Sequence, residues 1–231
     1  MTGESEATSH APSARWTVSL AELDDGRPLC LSLANTRHWR NSAAPRETLN
    51  RYADLAQWAL VKEIVTAPQA QSWEKDVAAH PQAAAAELGR AIALREAIAR
   101  LFSARAQVRT PADTDLAAII ASFNEASKSM QLAIVEGRLV PGFTRRQPGF
   151  ELPRWQAAVS AIGLLTSAAV PRVKQCADER GCGWLFLDGT RNGSRQFCFS
   201  SECGNRARQA KFRARRRIGP ASFARSLPPG D

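Results

Sequence analysis

No run of about 18 or more consecutive apolar residues occurs in the chain, which argues against a membrane-spanning helix. Its first thirty residues lack a basic start followed by an apolar stretch, so secretion is not expected either. A Gly-rich phosphate loop and a nucleophile elbow are both missing. The three histidines, His10, His38 and His80, are scattered, with no second ligand at metal spacing. With no coherent acid, base and nucleophile set, the expectation is a protein that is not an enzyme. Cysteine is scarce and unevenly placed: Cys30 stands alone, and the other four of the five fall within positions 176–203. That odd, lopsided count fits a disulfide framework poorly and a reducing cytoplasm well.

The 231 residues, 44% of them hydrophobic, are enough for one sizeable core and a small second unit. The net charge of +9 is not spread evenly. Residues 1–170 hold 18 Lys+Arg against 17 Asp+Glu, whereas residues 171–231 hold 13 against 5. A nearly neutral body with a concentrated basic end points to localised contact with a polyanion.

Along the chain, residues 1–14 are poor in large apolar side chains and read as a disordered lead-in, with structure beginning near Trp16. Residues 28–37 are apolar up to Ala34 and then polar, which suits a strand or the start of a helix. Residues 46–65 repeat apolar side chains at steps of three and four and predict an amphipathic helix. Pro81 opens an Ala-rich stretch that predicts a long helix to about residue 107. Thr110 as N-cap and Pro111 at the first helical position predict a third helix ending near Ser127. Residues 131–150 read as a hairpin or irregular loop, and 155–169 as a further helix. A domain boundary is placed at about residue 170, giving an α-rich domain over 15–170, a small module over 171–218 and a flexible tail over 219–231.

In that module Cys176, Cys182, Cys198 and Cys203 are separated by five, fifteen and four residues. Zinc takes four soft ligands at tetrahedral corners, which short turns supply in pairs while a hairpin brings the pairs together. Residues 184–187 are β-prone, 188–193 turn-rich, and 196–199 are expected to run back as the second strand. One structural Zn²⁺ is expected, since four thiolates leave no open position for catalysis. Its formal −2 charge calls for nearby cations, with Arg195 and Arg206 as candidates. Metal is expected to hold residues 171–217 folded, so that Cys198→Ser unfolds that whole segment.

After Cys203 the sequence has helical propensity through Arg217. Ala207, Ala210, Ala214 and Ile218 share one narrow face, expected to lie close to the zinc hairpin. Arg206, Arg208, Lys211, Arg213, Arg215, Arg216 and Arg217 are candidate nucleic-acid contacts, arginine being suited to bidentate binding of phosphate or guanine. Asn35 and Thr36, beginning a polar cluster after an apolar segment, line a ligand pocket or form a turn or cap. Cys30 reads as a core residue.

The run Cys203, Gly204, Asn205, Arg206 resembles the CGNR zinc-finger proteins of bacteria. The likeness extends over Cys182, Trp184, Phe186, Asp188, Arg191, Asn192, Arg195 and Cys198 in order. Residues 29–36, with Asn35 and Thr36, and Tyr52, Ala53, Asp54 and Leu55 resemble the ABATE domain that precedes such fingers. Phe197, Arg208, Ser32 and Leu33 depart from residues common in the family. The resemblance implies that the four cysteines ligate zinc, that Arg195 and Asn205 support the finger, and that the finger binds specific DNA in transcription control linked to stress. It also implies sensing or dimerisation by the larger domain.

The fold expected is a mainly α N-terminal domain with a small β-hairpin element, followed by a zinc-ribbon or treble-clef-like module of one β-hairpin and one helix. DNA is the expected partner, in the cytoplasm at the nucleoid, with an RNA-binding or protein-interaction adaptor as the alternative. One short helix reads only about 3 to 4 base pairs, so useful specificity calls for a homodimer, a partner or the arms around the finger.

Overall fold

The computed structural model describes residues 28–135, 137–143 and 149–217. The expected lead-in, His10, Trp16, Ile218 and the expected tail lie outside these residues.

The body is helical with small hairpins. Its centre is α1 (Leu29–Ala34), where Cys30, Leu31, Leu33 and Ala34 are buried. This short helix packs on α4 (Pro81–Ala106) and α6 (Leu152–Leu165), the two elements that supply most of the remaining core. The main-chain N–H of Cys30 donates to Ser160 Oγ at 3.1 Å. Burial pushes the Cys30 thiol up to about 12, as expected of a packed core group. Helix α4 follows the predicted span closely, with Leu94, Ile98, Leu101 and Phe102 buried at helical spacing.

The expected helix over 46–65 is shorter. Residues Arg46–Glu47 form strand β2 paired with β1 (Arg37–His38), and the helix, α2, spans Tyr52–Val61. Asp54 sets its start, since its carboxylate accepts from the Asn50 and Arg51 N–H groups at 2.9 and 3.0 Å. Glu47 is drawn away from helix geometry by buried Arg95, whose guanidinium donates to both its carboxylate oxygens. A helix not predicted, α3 (Ala67–Ala79), follows at once. Gln69 Oε1 accepts from the N–H and hydroxyl of Thr66, a capping box legible as Thr66-x-x-Gln69. Helix α5 (Asp113–Ser127) starts later than Thr110 and Pro111 suggested, because the Ala112 carbonyl takes the first helical bonds, from Asp115 and Leu116. Residues Met130–Val135 (β3) and Arg138–Phe143 (β4) form an antiparallel hairpin.

Ion pairs lock the helices. Arg154 of α6 lies between Glu87 of α4 and Glu125 of α5, with both Arg154 and Glu87 almost fully buried. Arg95 joins Glu47 and Glu96, and Arg40 also holds Glu96.

After a 3₁₀ turn at Val170–Arg172 comes β5 (Val173–Gln175), which pairs antiparallel with β6 (Leu185–Leu187). The expected partner of β6, residues 196–199, is not a strand. The loop after β6 wraps around Asp188, and that segment is linked instead through Ala177 N–H to Gln196 O at 2.9 Å and Gly204 N–H to Phe199 O at 3.0 Å. Val173, Leu185 and Leu187 belong to the core of the body, so the hairpin of the C-terminal module grows out of the larger unit. A π-helical turn at Ser200–Gly204 leads into α7 (Asn205–Arg217). No helix among the described residues is long and apolar enough to cross a membrane.

Candidate functional site

The four C-terminal cysteines reach one point from four different pieces of backbone. Cys176 follows β5, Cys182 lies in a Gly181–Cys182–Gly183 turn, Cys198 lies in the loop after β6, and Cys203 lies in the π-helical turn. All four are buried and their Sγ atoms lie within 4.8 Å of one another. Cys198 Sγ is 3.7 Å from both Cys182 Sγ and Cys203 Sγ. A disulfide would bring sulfurs to about 2.05 Å. A tetrahedron with Zn–S near 2.3 Å has edges of about 3.8 Å, so the cluster fits a Cys₄ zinc site. Without a cation the four sulfurs compete for protons. Hydrogen bonds from Cys182 and Cys198 pull the Cys176 thiol down, while Cys182 and Cys198, facing that thiolate, are pushed up, and burial raises Cys203. A divalent ion removes the conflict by stabilising all four thiolates together. Bound there, zinc supplies a structural clamp closed to further ligands.

The surroundings carry the balancing charge. Arg195 donates to the carbonyls of Phe197 and Cys198 and lies 4.7 Å over the Phe186 ring, so it props the loop that presents Cys198. Arg206 Nη2 points at Cys203 Sγ at 2.9 Å, and its guanidinium is 3.6 Å from Asp178 and 5.2 Å over Trp39. Of its two expected roles, phosphate contact and neutralisation of the metal centre, its side chain is committed to the second. Asn205 is exposed at the first position of α7 and makes no side-chain hydrogen bond among the described residues, so no supporting role is visible for it.

Other parts of this centre were given no site role in the reading of the sequence. Asp188, fully buried, accepts from Lys174 Nζ at 2.7 Å, from the N–H and hydroxyl of Thr190, and from Arg195 N–H at 2.9 Å. Burial alone would raise this carboxyl, but those donors outweigh it and hold it well below the usual range. Gly181, at φ +91°, passes so close to the body that an added Cβ would lie 2.5 Å from Ser42 N and 2.6 Å from Asn41 C and O. The Gly-Cys-Gly run is the one local hint that the chain turns tightly there. Trp39, from the body, lies under both Arg180 (5.5 Å) and Arg206.

Helix α7 leaves this centre and extends away from it. Arg208, Lys211, Arg213 and Arg216 are exposed, while Arg215 and Arg217 lie in the helix with side chains outside the described ones. Arg208 donates to Ser200 O at 3.2 Å, and Arg216 stacks 5.5 Å from the Phe212 ring, which is 60% exposed. Ala210 and Ala214 are exposed too, and only Ala207 is half-buried. The small-residue stripe therefore does not seat the helix on the module. Among the described residues the helix is fastened through its N-terminal turn, and the hairpin is already covered by the body.

Asn35 and Thr36 were candidates for a pocket or a turn. Asn35 is a tie: its Nδ2 donates to Leu185 O at 2.8 Å and its Oδ1 accepts from Leu185 N–H at 2.9 Å, pairing with β6 as a strand would. Thr36 donates its hydroxyl to Leu33 O at 2.7 Å. Both nonetheless border a cleft of about 530 Å³ lined by residues of body and module, among them Trp58 from the body and Trp184 and Phe199 from the module. His38 stands in this wall with its ring 5.2 Å from Trp184, its pKa lowered by burial and by Arg46.

Comparison with known families gives two matches in series. Residues 27–168 match the ABATE family model, described as "Putative stress-induced transcription regulator", and residues 172–216 match the CGNR zinc finger. No curated protein matches the chain.

Proposed function

Because the chain belongs to the ABATE family and closes with a CGNR zinc finger, we propose that it is a zinc-dependent DNA-binding regulator of transcription acting in a stress response. The observation that carries this reading is α7. A helix bearing Arg208, Lys211, Arg213 and Arg216 stands clear of the body, held at one end by the metal centre. Packing does not require its charges, and like charges at this density repel unless a polyanion meets them. Zinc in this reading fixes the angle at which the helix leaves the protein, and the role is one of binding, not catalysis. A short helix alone specifies few base pairs, so the reading includes a second copy of the chain on DNA in the cytoplasm.

The test is selection from a random duplex pool with zinc-loaded, nuclease-treated protein at about 150 mM salt. The expected result is a recovered motif of two related half-sites. Retention of duplexes without a motif, or preference for RNA, would replace this reading with an adaptor role.

A further inference from the structure

From the cleft between body and finger we infer that the protein binds a small planar aromatic acid there. The volume of about 530 Å³ is within the range of small-molecule sites, which are commonly apolar walls with a few convergent polar groups. The flat surfaces come from both units: Trp58 of α2 on the body, Trp184 and Phe199 on the finger. Trp58 is fixed in place by its Nε1–H, which donates to Ser32 Oγ at 3.2 Å.

The polar part of the wall divides into committed and available groups. Asp54 is saturated by main-chain N–H groups and Arg51, Arg195 is bound to two carbonyls, and Asn35 is bound to Leu185. Gln57 and Lys62 also line the cleft, and neither makes a side-chain hydrogen bond or ion pair among the described residues. With the Asp54 charge answered and Arg195 engaged, the Lys62 ammonium is the available charge of this wall among the described residues. It selects an anionic group, and the indole and phenyl rings that line the cleft select a flat aromatic body.

The position of the cleft gives binding a consequence. Phe199 is the residue before the π-helical turn, and its carbonyl accepts from Gly204 N–H at 3.0 Å, next to the start of α7. A ring bound in the cleft, which Trp58 and Phe199 both line, steadies the exit angle of α7 against the body. This control of DNA binding rests on the function proposed above, whereas occupation of the cleft does not.

The experiment therefore contains no DNA. Titration calorimetry of zinc-loaded, full-length protein compares indole-3-acetate and benzoate with indole-3-acetamide and benzylamine. Amide exchange is followed over residues 199–206 in the same samples. The expected result is preference for each acid over the neutral or cationic compound by about ten-fold, the size of one charge-assisted hydrogen bond. Lys62→Gln, at a partly exposed position, should erase that preference without changing the melting temperature, and bound acid should slow exchange at 199–206. Equal binding of acid and amide, an unchanged preference in Lys62→Gln, or no binding at about 10 mM, beyond the 1 mM level equivalent to about −4.1 kcal/mol, would overturn the inference.

Discussion

Asp188 and Gly181 show how single residues outside the four cysteines set the metal centre. Asp188→Asn keeps the volume but removes the charge that Lys174 and three further donors face. Because Lys174 is partly open to solvent, the cost should be about 2 to 3 kcal/mol, below that of a fully buried pair. The expected outcome is a lower denaturant midpoint for zinc-loaded protein, and an unchanged midpoint would remove Asp188 from the support of the site. Gly181→Ala meets main-chain atoms of Asn41 and Ser42 and a left-handed backbone, with strain alone worth about 1 to 3 kcal/mol. It should loosen the finger from the body, read as faster zinc transfer to a chelator. On α7, Arg213→Ala should leave folding alone, since its one side-chain bond among the described residues is a long 3.4 Å contact to Gln209. If it touches phosphate, the variant should weaken binding to all duplexes and flatten the salt dependence by about one unit. An unchanged slope would take it off the contact surface.

Among the elements, the C-terminal hairpin and the cysteine loops part company. The sequence suggested that the metal holds all of residues 171–217, but β5 and β6 are secured by the body's core and by Asn35 as well. Cys198→Ser, or removal of zinc, should therefore abolish amide-exchange protection at 177–182 and 196–204 and largely preserve it at Val173–Gln175 and Leu185–Leu187. Loss of protection across β5 and β6 together with the loops would show that the module folds as one metal-dependent unit after all. Helix α7, anchored among the described residues at its first turn, should lose helicity along with the loops, since a 13-residue helix is marginal by itself.

For the whole molecule, the body is fastened by buried arginines, and that makes it acid-sensitive. Burial alone would raise the Glu47 and Glu96 carboxyls, but hydrogen bonds from Arg95 and Arg40 outweigh it, and Arg154 lowers Glu125. A carboxyl whose folded pKa lies below its unfolded value stabilises the protein above that unfolded value, about 4.3 for Glu, and loses this as pH falls. The helical thermal transition should accordingly be steady near neutrality and drop steeply below about pH 4.5. Glu47→Gln should be less stable at pH 7 and show a shallower drop. A parallel decline in variant and parent would mean that Glu47 does not carry the effect.

The sequence by itself determined the long helix α4, the short apolar start at residues 28–34, the four-cysteine cluster and the basic character of α7. Each is written in local spacing, charge or ligand chemistry, and the interval pattern 176, 182, 198, 203 needs no distant residue to be read. Helix α3 was legible in its Thr66 and Gln69 cap, but its few buried apolar side chains gave little periodic signal. Only the tertiary structure decided that β6 pairs with β5, that Asn35 completes that pair from 150 positions away, and that Arg206 turns to the Cys203 sulfur. Only it placed Trp58, Lys62, Trp184 and Phe199 around one cleft. These outcomes depend on which surfaces meet when the body's core closes, and a contact between distant segments leaves no period, cap or spacing in either of them.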